Sequence, residues 1–165
     1  MSDDLTAVTR AFSEFDGRHV APLRRLADGD LSATARGAVL AAIAGPDQIA
    51  ATWIIKHWAE NGAFLPGDAA QVFAALPRLN APDAILHVLQ MVQMFPEEAV
   101  PALPTIRVHL KHRRVLVRTW ALDAFVRCGP RAEAEKLLNS ALKDASAAVR
   151  ARARQLQAAG YRAGA

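Results

Sequence analysis

Thr52-Trp53-Ile54-Ile55-Lys56, Asp83-Ala84-Ile85-Leu86-His87, Arg114-Val115-Leu116-Val117-Arg118 and Ser146-Ala147-Ala148-Val149-Arg150 align as versions of one short frame. The apolar and basic pair that closes each frame recurs at 55/56, 86/87, 117/118 and 149/150, with spacings of 31, 31 and 32. Three residues further on stand Ala59, Gln90, Ala121 and Ala153, small in three of the four, as closely approaching helices require. Self-similarity at a fixed period of this size marks a tandem supersecondary unit, here a pair of helices. One pair cannot bury its own apolar stripe, so neighbouring pairs stack into a continuous core. The sequence therefore predicts an all-α superhelix of about five helical pairs, ten helices, in one domain over 1-165, with the clearest repeats at 32-61, 67-95, 98-128 and 131-159.

Punctuation supplies the helix limits. Gly17, Gly29, Gly45, Gly62, Gly129 and Gly160 stand where apolar runs stop, and Pro46, Pro66, Pro82, Pro96 and Pro130 stand where new ones begin. These signals place helices at 4-16, 18-28, 32-44, 46-61, 67-79, 82-95, 98-111, 113-128, 131-143 and 145-159. Ile85, Val88, Leu89, Val92 and Phe95 form one apolar stripe at helical spacing. Val117, Trp120, Ala121, Ala124, Phe125 and Cys128 form another, and both read as core. Composition agrees: 52% of the residues are hydrophobic but only 6% aromatic, which favours closely packed helices over a β-sandwich.

The segments VRTWA at 117-121 and VRARA at 149-153, the latter preceded by Asp144, resemble the second-helix signature of HEAT repeats. The tracts ATWIIKHWAE, ILHVLQ and LVRTWALDAF are similar to those of small bacterial HEAT-like proteins, and the resemblance covers residues 30-160. It implies a HEAT-like α-solenoid. The sequence departs from the family in its period, shorter than the ~40–47 residues usual there. It departs also in the turn aspartate, present as Asp144 but replaced by Ala50, Ala81 and His112 in the other units.

The net charge of +4 conceals an asymmetry. Residues 1-100 carry seven Lys and Arg against twelve Asp and Glu, a net −5, whereas residues 101-165 carry thirteen against four, a net +9. A basic end of this kind can attract nucleic acid, anionic lipid or an acidic protein surface, and charge alone does not separate these. Cys128 is the sole cysteine, so no intrachain disulfide forms, and a reducing cytoplasmic location is expected. The acidic start MSDDL lacks the features of a signal peptide, no apolar run approaches the ~20 residues of a spanning helix, and no membrane partner is expected.

The column Lys56, His87, Arg118 and Arg150 has two readings. In one, stems and donors bridge adjacent repeats; in the other, the column is a basic ridge facing an acidic ligand. Trp58 and Trp120 share a repeat column with Leu89 and read as core. Trp53, beside Lys56, His57 and Glu60 on a helix turn, is either a packing residue or a binding anchor. The candidate partner-binding residues are Trp53, His57, Glu60, His87, Gln90, Arg118 and Arg150. A separate basic patch gathers Arg107, Lys111, Arg113, Arg114, Lys143 and Arg154, the first four spanning a turn between two helices.

Catalytic chemistry finds little footing. Phosphate loops, nucleophile elbows and zinc spacings are absent from the sequence. His57, Glu60 and His87 lack the paired Glu-x-x-His motifs of a bundle metal site, and Cys128 lies on an apolar stripe. No metal or other cofactor and no catalytic residue is expected. One branch of the HEAT-like proteins excises alkylated purines from DNA with Trp, Arg and Asp side chains, and the nearness of Arg118, Trp120 and Asp123 implies that comparison. The expected function is a non-enzymatic protein-binding scaffold using the curved face of the solenoid, with another protein as the partner, acidic proteins among the candidates. The alternative is a nucleic-acid-binding protein, glycosylase-like in its extreme form, that uses the basic C-terminal half.

Overall fold

The computed structural model describes residues 3–161. All regular elements among them are helical, and no strand occurs. The helices are α1 (Asp3–Glu14), α2 (Ala21–Ala27), α3 (Ala33–Ala42), α4 (Gln48–Glu60), α5 (Asp68–Ala75), α6 (Pro82–Met91), α7 (Pro96–Ala99), α8 (Leu103–His109), α9 (Val115–Cys128), α10 (Arg131–Ala141) and α11 (Ala147–Ala158). Short 3₁₀ turns follow α5, over Leu76–Arg78, and α7, over Val100–Ala102.

Three expected helices are corrected in ways their sequence explains; that over 67-79 ends as an α-helix at Ala75 and closes in a 3₁₀ turn containing Pro77. The single helix expected over 98-111 is instead α7, a 3₁₀ turn and α8. Pro101 and Pro104 remove backbone donors that a continuous helix would need, so the chain restarts at each ring. The helix expected over 18-28 begins only at Ala21. The Asp16 carboxylate accepts the backbone N–H groups of Arg18 and His19 at 2.9 and 2.8 Å and folds that stretch into a turn. Helix ends obey the glycine signals: at Gly62 (φ +68°) and Gly160 (φ +81°) the next residue's N–H reaches back to Trp58 O and Leu156 O, closing Schellman caps.

The chain divides into two compact units, Met1–Val88 and Leu89–Ala165. In the first, α1 packs on α2 and α3, and α4 packs on α2 and α3. Leu23, Val39, Ile54 and Ile55 are wholly excluded from water. Trp58 joins them at 2% exposure, its Nε1 donating to Ala27 O at 3.2 Å. Polar ties hold the unit's later segments to α3 and α4. Arg36 pairs with Asp68 at 2.9 Å, both largely buried, and its guanidinium lies 4.1 Å above the Trp58 ring. Gln48 accepts the N–H groups of Asn80 and Ala81, giving partners to backbone donors just before α6.

In the second unit α9 is the hub, packing against α7, α8, α10 and α11. Leu122, Val126, Leu138, Val149, Ala153 and Leu156 form its main apolar cluster. Ala121 and Ala153, at matching repeat positions, are fully buried, as the small-residue pattern predicts. The stripe on α9 buries Val117, Ala121, Ala124 and Phe125, but Trp120 and Cys128 are only half-buried. Trp120 is thus a rim residue rather than core, covered by the Arg152 guanidinium 4.1 Å above its ring. Gly129 follows so closely that a Cβ there would lie 2.6 Å from Phe125 O, which explains glycine at the end of α9.

Candidate binding surfaces

In the first unit, helical periodicity places Trp53, Lys56, His57 and Glu60 on one side of α4. Trp53 is half-buried and stacks on the His57 ring, centroids 5.3 Å apart and 16° from parallel. His57 Nε2 meets Asp28 Oδ1 at 2.7 Å, and Lys56 donates to Glu60 at 2.5 Å. Thr52 Oγ1 lies 2.7 Å from Gln48 O and 2.9 Å from His87 Nδ1. Because the single hydroxyl proton goes to the carbonyl, Nδ1 of His87 carries the proton and donates to Thr52. Burial, reinforced by the nearby Lys56 charge, pushes His87 down to about 4, so at neutral pH it is uncharged. Trp53, His57, Glu60 and His87 all belong to this unit, each engaged by a neighbour. Gln90 belongs to the second unit, half-buried on α6.

In the second unit Arg118 and Arg150 repeat one geometry. Arg118 Nη1 donates to His112 O at 2.9 Å and Arg113 O at 3.3 Å; Arg150 Nη1 donates to Asp144 O at 2.6 Å and Ala145 O at 2.9 Å. Each arginine thus clamps the turn that leads into its own helix, rather than bridging to another repeat. The carbonyls it satisfies stand six and five residues before it, in turns where the helical ladder offers them no donor.

The α8–α9 turn held by Arg118 displays an unusual surface. Val108, Val115 and Leu116 are 69%, 38% and 45% exposed, on the last turn of α8 and the first turn of α9. Lys111 and Arg113, exposed beside them, have no side-chain partner among the described residues, whereas Arg114 is engaged. His112 Nδ1 accepts the Arg114 N–H at 3.0 Å and stiffens the turn. His109 lies beneath, its ring 5.9 Å from His112 and its Nε2 buried without a partner among the described residues. Burial and then the proximity of His112 lower its affinity for a proton. Arg107 is committed to an ion pair with Glu133, whose carboxyl it holds below the usual range. Lys143 and Arg154, the rest of the expected basic patch, are exposed around α11.

Asp123 does not join Arg118. Its side chain is fully buried, bound by Arg127 Nε at 2.5 Å and approached by Arg152 Nη1 at 3.5 Å. Arg127 also donates to the Tyr161 hydroxyl at 2.8 Å and lies 4.8 Å above that ring. This carboxylate holds α9 and α11 together and presents no oxygen to solvent. The Asp-x-x-x-Arg spacing on α9 was the available sequence signal for half of that network. Cys128 Sγ donates to Ala124 O at 3.1 Å, and burial pushes its thiol up to about 11, so it stays protonated at neutral pH. Among the described residues no group of three or more His, Cys, Asp or Glu side chains is placed to hold a metal ion, and no helix is long and apolar enough to cross a membrane.

No protein family, no curated protein and no solved structure matches this chain. Its functional reading therefore rests on these two surfaces alone. They differ in kind: the α4 side is internally satisfied, whereas the α8–α9 turn leaves both apolar and cationic groups unspent.

Proposed function

We propose that this chain is a non-enzymatic scaffold of the HEAT-like helical-repeat class that binds an acidic protein through the α8–α9 turn. The repeat reading is supported by the 31- and 32-residue spacings and by the like-for-like clamps of Arg118 and Arg150. The observation that carries the binding reading is the mixed surface at one end of the α8–α9 hairpin: Val108, Val115 and Leu116 beside Lys111 and Arg113. Interface cores need desolvatable apolar contact, and rim charges supply steering and selectivity. The turn edge is favoured over the second-helix face because His87, Arg118 and Arg150 are half-buried and donate to internal partners, whereas Val108, Val115 and Leu116 are exposed.

Nucleic-acid binding through 107-118 and 143-154 is the second reading, favoured by the exposed Lys111, Arg113, Lys143 and Arg154. Phosphates would use those cations but leave the three exposed aliphatic side chains unused. A repair activity is less favoured still, since the sealed Asp123 has no open face toward a substrate. Affinity capture on the full chain, with and without nuclease, separates the readings. The scaffold reading expects a stoichiometric protein that survives nuclease and is lost from the Lys111→Glu/Arg113→Glu variant. Recovery of nuclease-sensitive material alone, released steeply by salt, would replace it with the second reading.

A further inference from the structure

Beside the α8–α9 turn lies a cleft of about 340 Å³, lined by Arg107, Leu110, Phe125, Lys136, Leu137 and Ser140, with Glu133 at its edge. It belongs wholly to the second unit. Leu110 and Leu137 are half-buried, and Phe125 forms a floor that is 2% exposed beneath the Arg107 guanidinium, 5.1 Å from its ring. The volume matches on the order of ten waters, enough for one large aliphatic or aromatic side chain. Arg107 and Leu110, which line this cleft, stand one residue before and two residues after Val108 in the chain, so the cleft lies near the turn.

Charge defines the occupant. Arg107, Lys136, Lys111 and Arg113 against Glu133 leave the cleft and turn with a net +3. Arg107 is preoccupied by Glu133, an ion pair whose members are both about half exposed, at 53% and 45%. Exposed pairs of this kind are worth little and exchange readily. An incoming carboxylate therefore replaces Glu133 at small cost, provided that an apolar group accompanies it into the cleft.

We infer that the partner presents an acidic segment with one large apolar side chain, which enters the cleft between α8 and α10 while a neighbouring carboxylate takes Arg107 from Glu133. This rests on the protein-binding reading above and specifies its partner. Leu110, Phe125 and Leu137 receive the apolar side chain, and Lys136, Lys111 and Arg113 face the flanking carboxylates. The mode is that of a single anchor in a pocket, surrounded by steering charge.

The test uses the full chain and two blocked, fluorescein-labelled peptides of alternating Glu and Ala, one with a central Leu and one with Ser in its place. Fluorescence anisotropy is expected to show the Leu peptide binding about 10-fold more tightly than the Ser peptide, the gain from burying one such side chain. Ser140→Tyr, which fills the cleft from an exposed position on α10, is expected to erase that advantage and leave the Ser peptide unchanged. Glu133→Gln, also exposed, is expected to tighten the Leu peptide about 3-fold by releasing Arg107. Equal binding of the two peptides, or an advantage that survives Ser140→Tyr, would overturn the inference and leave the acidic-protein reading standing. Failure of both peptides to bind would overturn both.

Discussion

The α8–α9 and α10–α11 turns are built alike and furnished differently. In each, an arginine near the start of the second helix donates to two carbonyls of the preceding turn, Arg118 to residues 112 and 113 and Arg150 to residues 144 and 145. The first turn then displays Val108, Val115, Leu116, Lys111 and Arg113; the second displays Lys143, Ala145, Ala147 and Ala148. The repeated residue fixes backbone that would otherwise leave carbonyls unpaired, and that constraint recurs in both turns of the second unit. The residues that vary over the fixed backbone set what each turn exposes to solvent. The repeated arginine and the exposed side chains around it are therefore different sets of residues, although the column Lys56, His87, Arg118 and Arg150 reads from sequence as one candidate surface.

The comparison can be broken most forcefully through Asp123, which ties α9 to α11 without touching either turn. Asp123→Ala leaves Arg127 and Arg152 facing each other without their shared anion and is expected to cost about 3–5 kcal/mol in denaturant unfolding. Amide exchange should then rise in α11 more than in α8. Next in size is charge reversal at the displayed surface. Lys111→Glu/Arg113→Glu should weaken the acidic Leu peptide on the order of 100-fold, whereas Lys143→Glu/Arg154→Glu should change it less than about 3-fold. Comparable losses from both pairs would mean that the two turns are equivalent after all.

The clamps give a smaller and more diagnostic effect. Arg118→Ala and Arg150→Ala should each lower stability by about 1–2 kcal/mol, since each strands two turn carbonyls. Only Arg118→Ala should also weaken peptide binding, because only its turn carries the surface. The smallest effect concerns pH and is read as a direction. His109 holds its proton less tightly in the folded chain than the ordinary 6.5. Below that value the unfolded chain gains the proton first, so stability is full above pH 6.5 and falls as pH drops beneath it. Acidification should therefore lower the amide protection factors of the α8–α9 hairpin, after correction for the intrinsic slowing of exchange with falling pH, in the wild type and less so in His109→Gln. The α10–α11 turn, which has no histidine, should not respond.

Much of the fold was legible because helices announce themselves by spacing and by punctuation. The stripe on α9 and the small residues Ala121 and Ala153 follow from periodicity alone, and Gly62 and Gly160 mark ends whose left-handed backbone favours glycine. The division of 98-111 is also written in the sequence, in Pro101 and Pro104, each of which removes a backbone donor from the helical ladder. The candidate site was less legible. Arg118 and Arg150 bond to backbone carbonyls, and a carbonyl carries no residue identity that a sequence could reveal. Gln48 is hidden for the same reason, since its partners are the backbone N–H groups of Asn80 and Ala81. Val108, Val115 and Leu116 left a trace as apolar residues off the buried stripe, but their exposure depends on what packs beside them, which only tertiary structure fixes.

The central claim is that the α8–α9 turn meets a protein and the similarly clamped α10–α11 turn does not. A photo-crosslinking residue placed at Val108 and, separately, at Ala148, in the native extract under equal illumination, tests it most directly. The account predicts nuclease-resistant protein adducts from position 108 and none above background from position 148. Adducts of equal yield at both positions, or adducts at 108 that vanish on nuclease treatment, would contradict it.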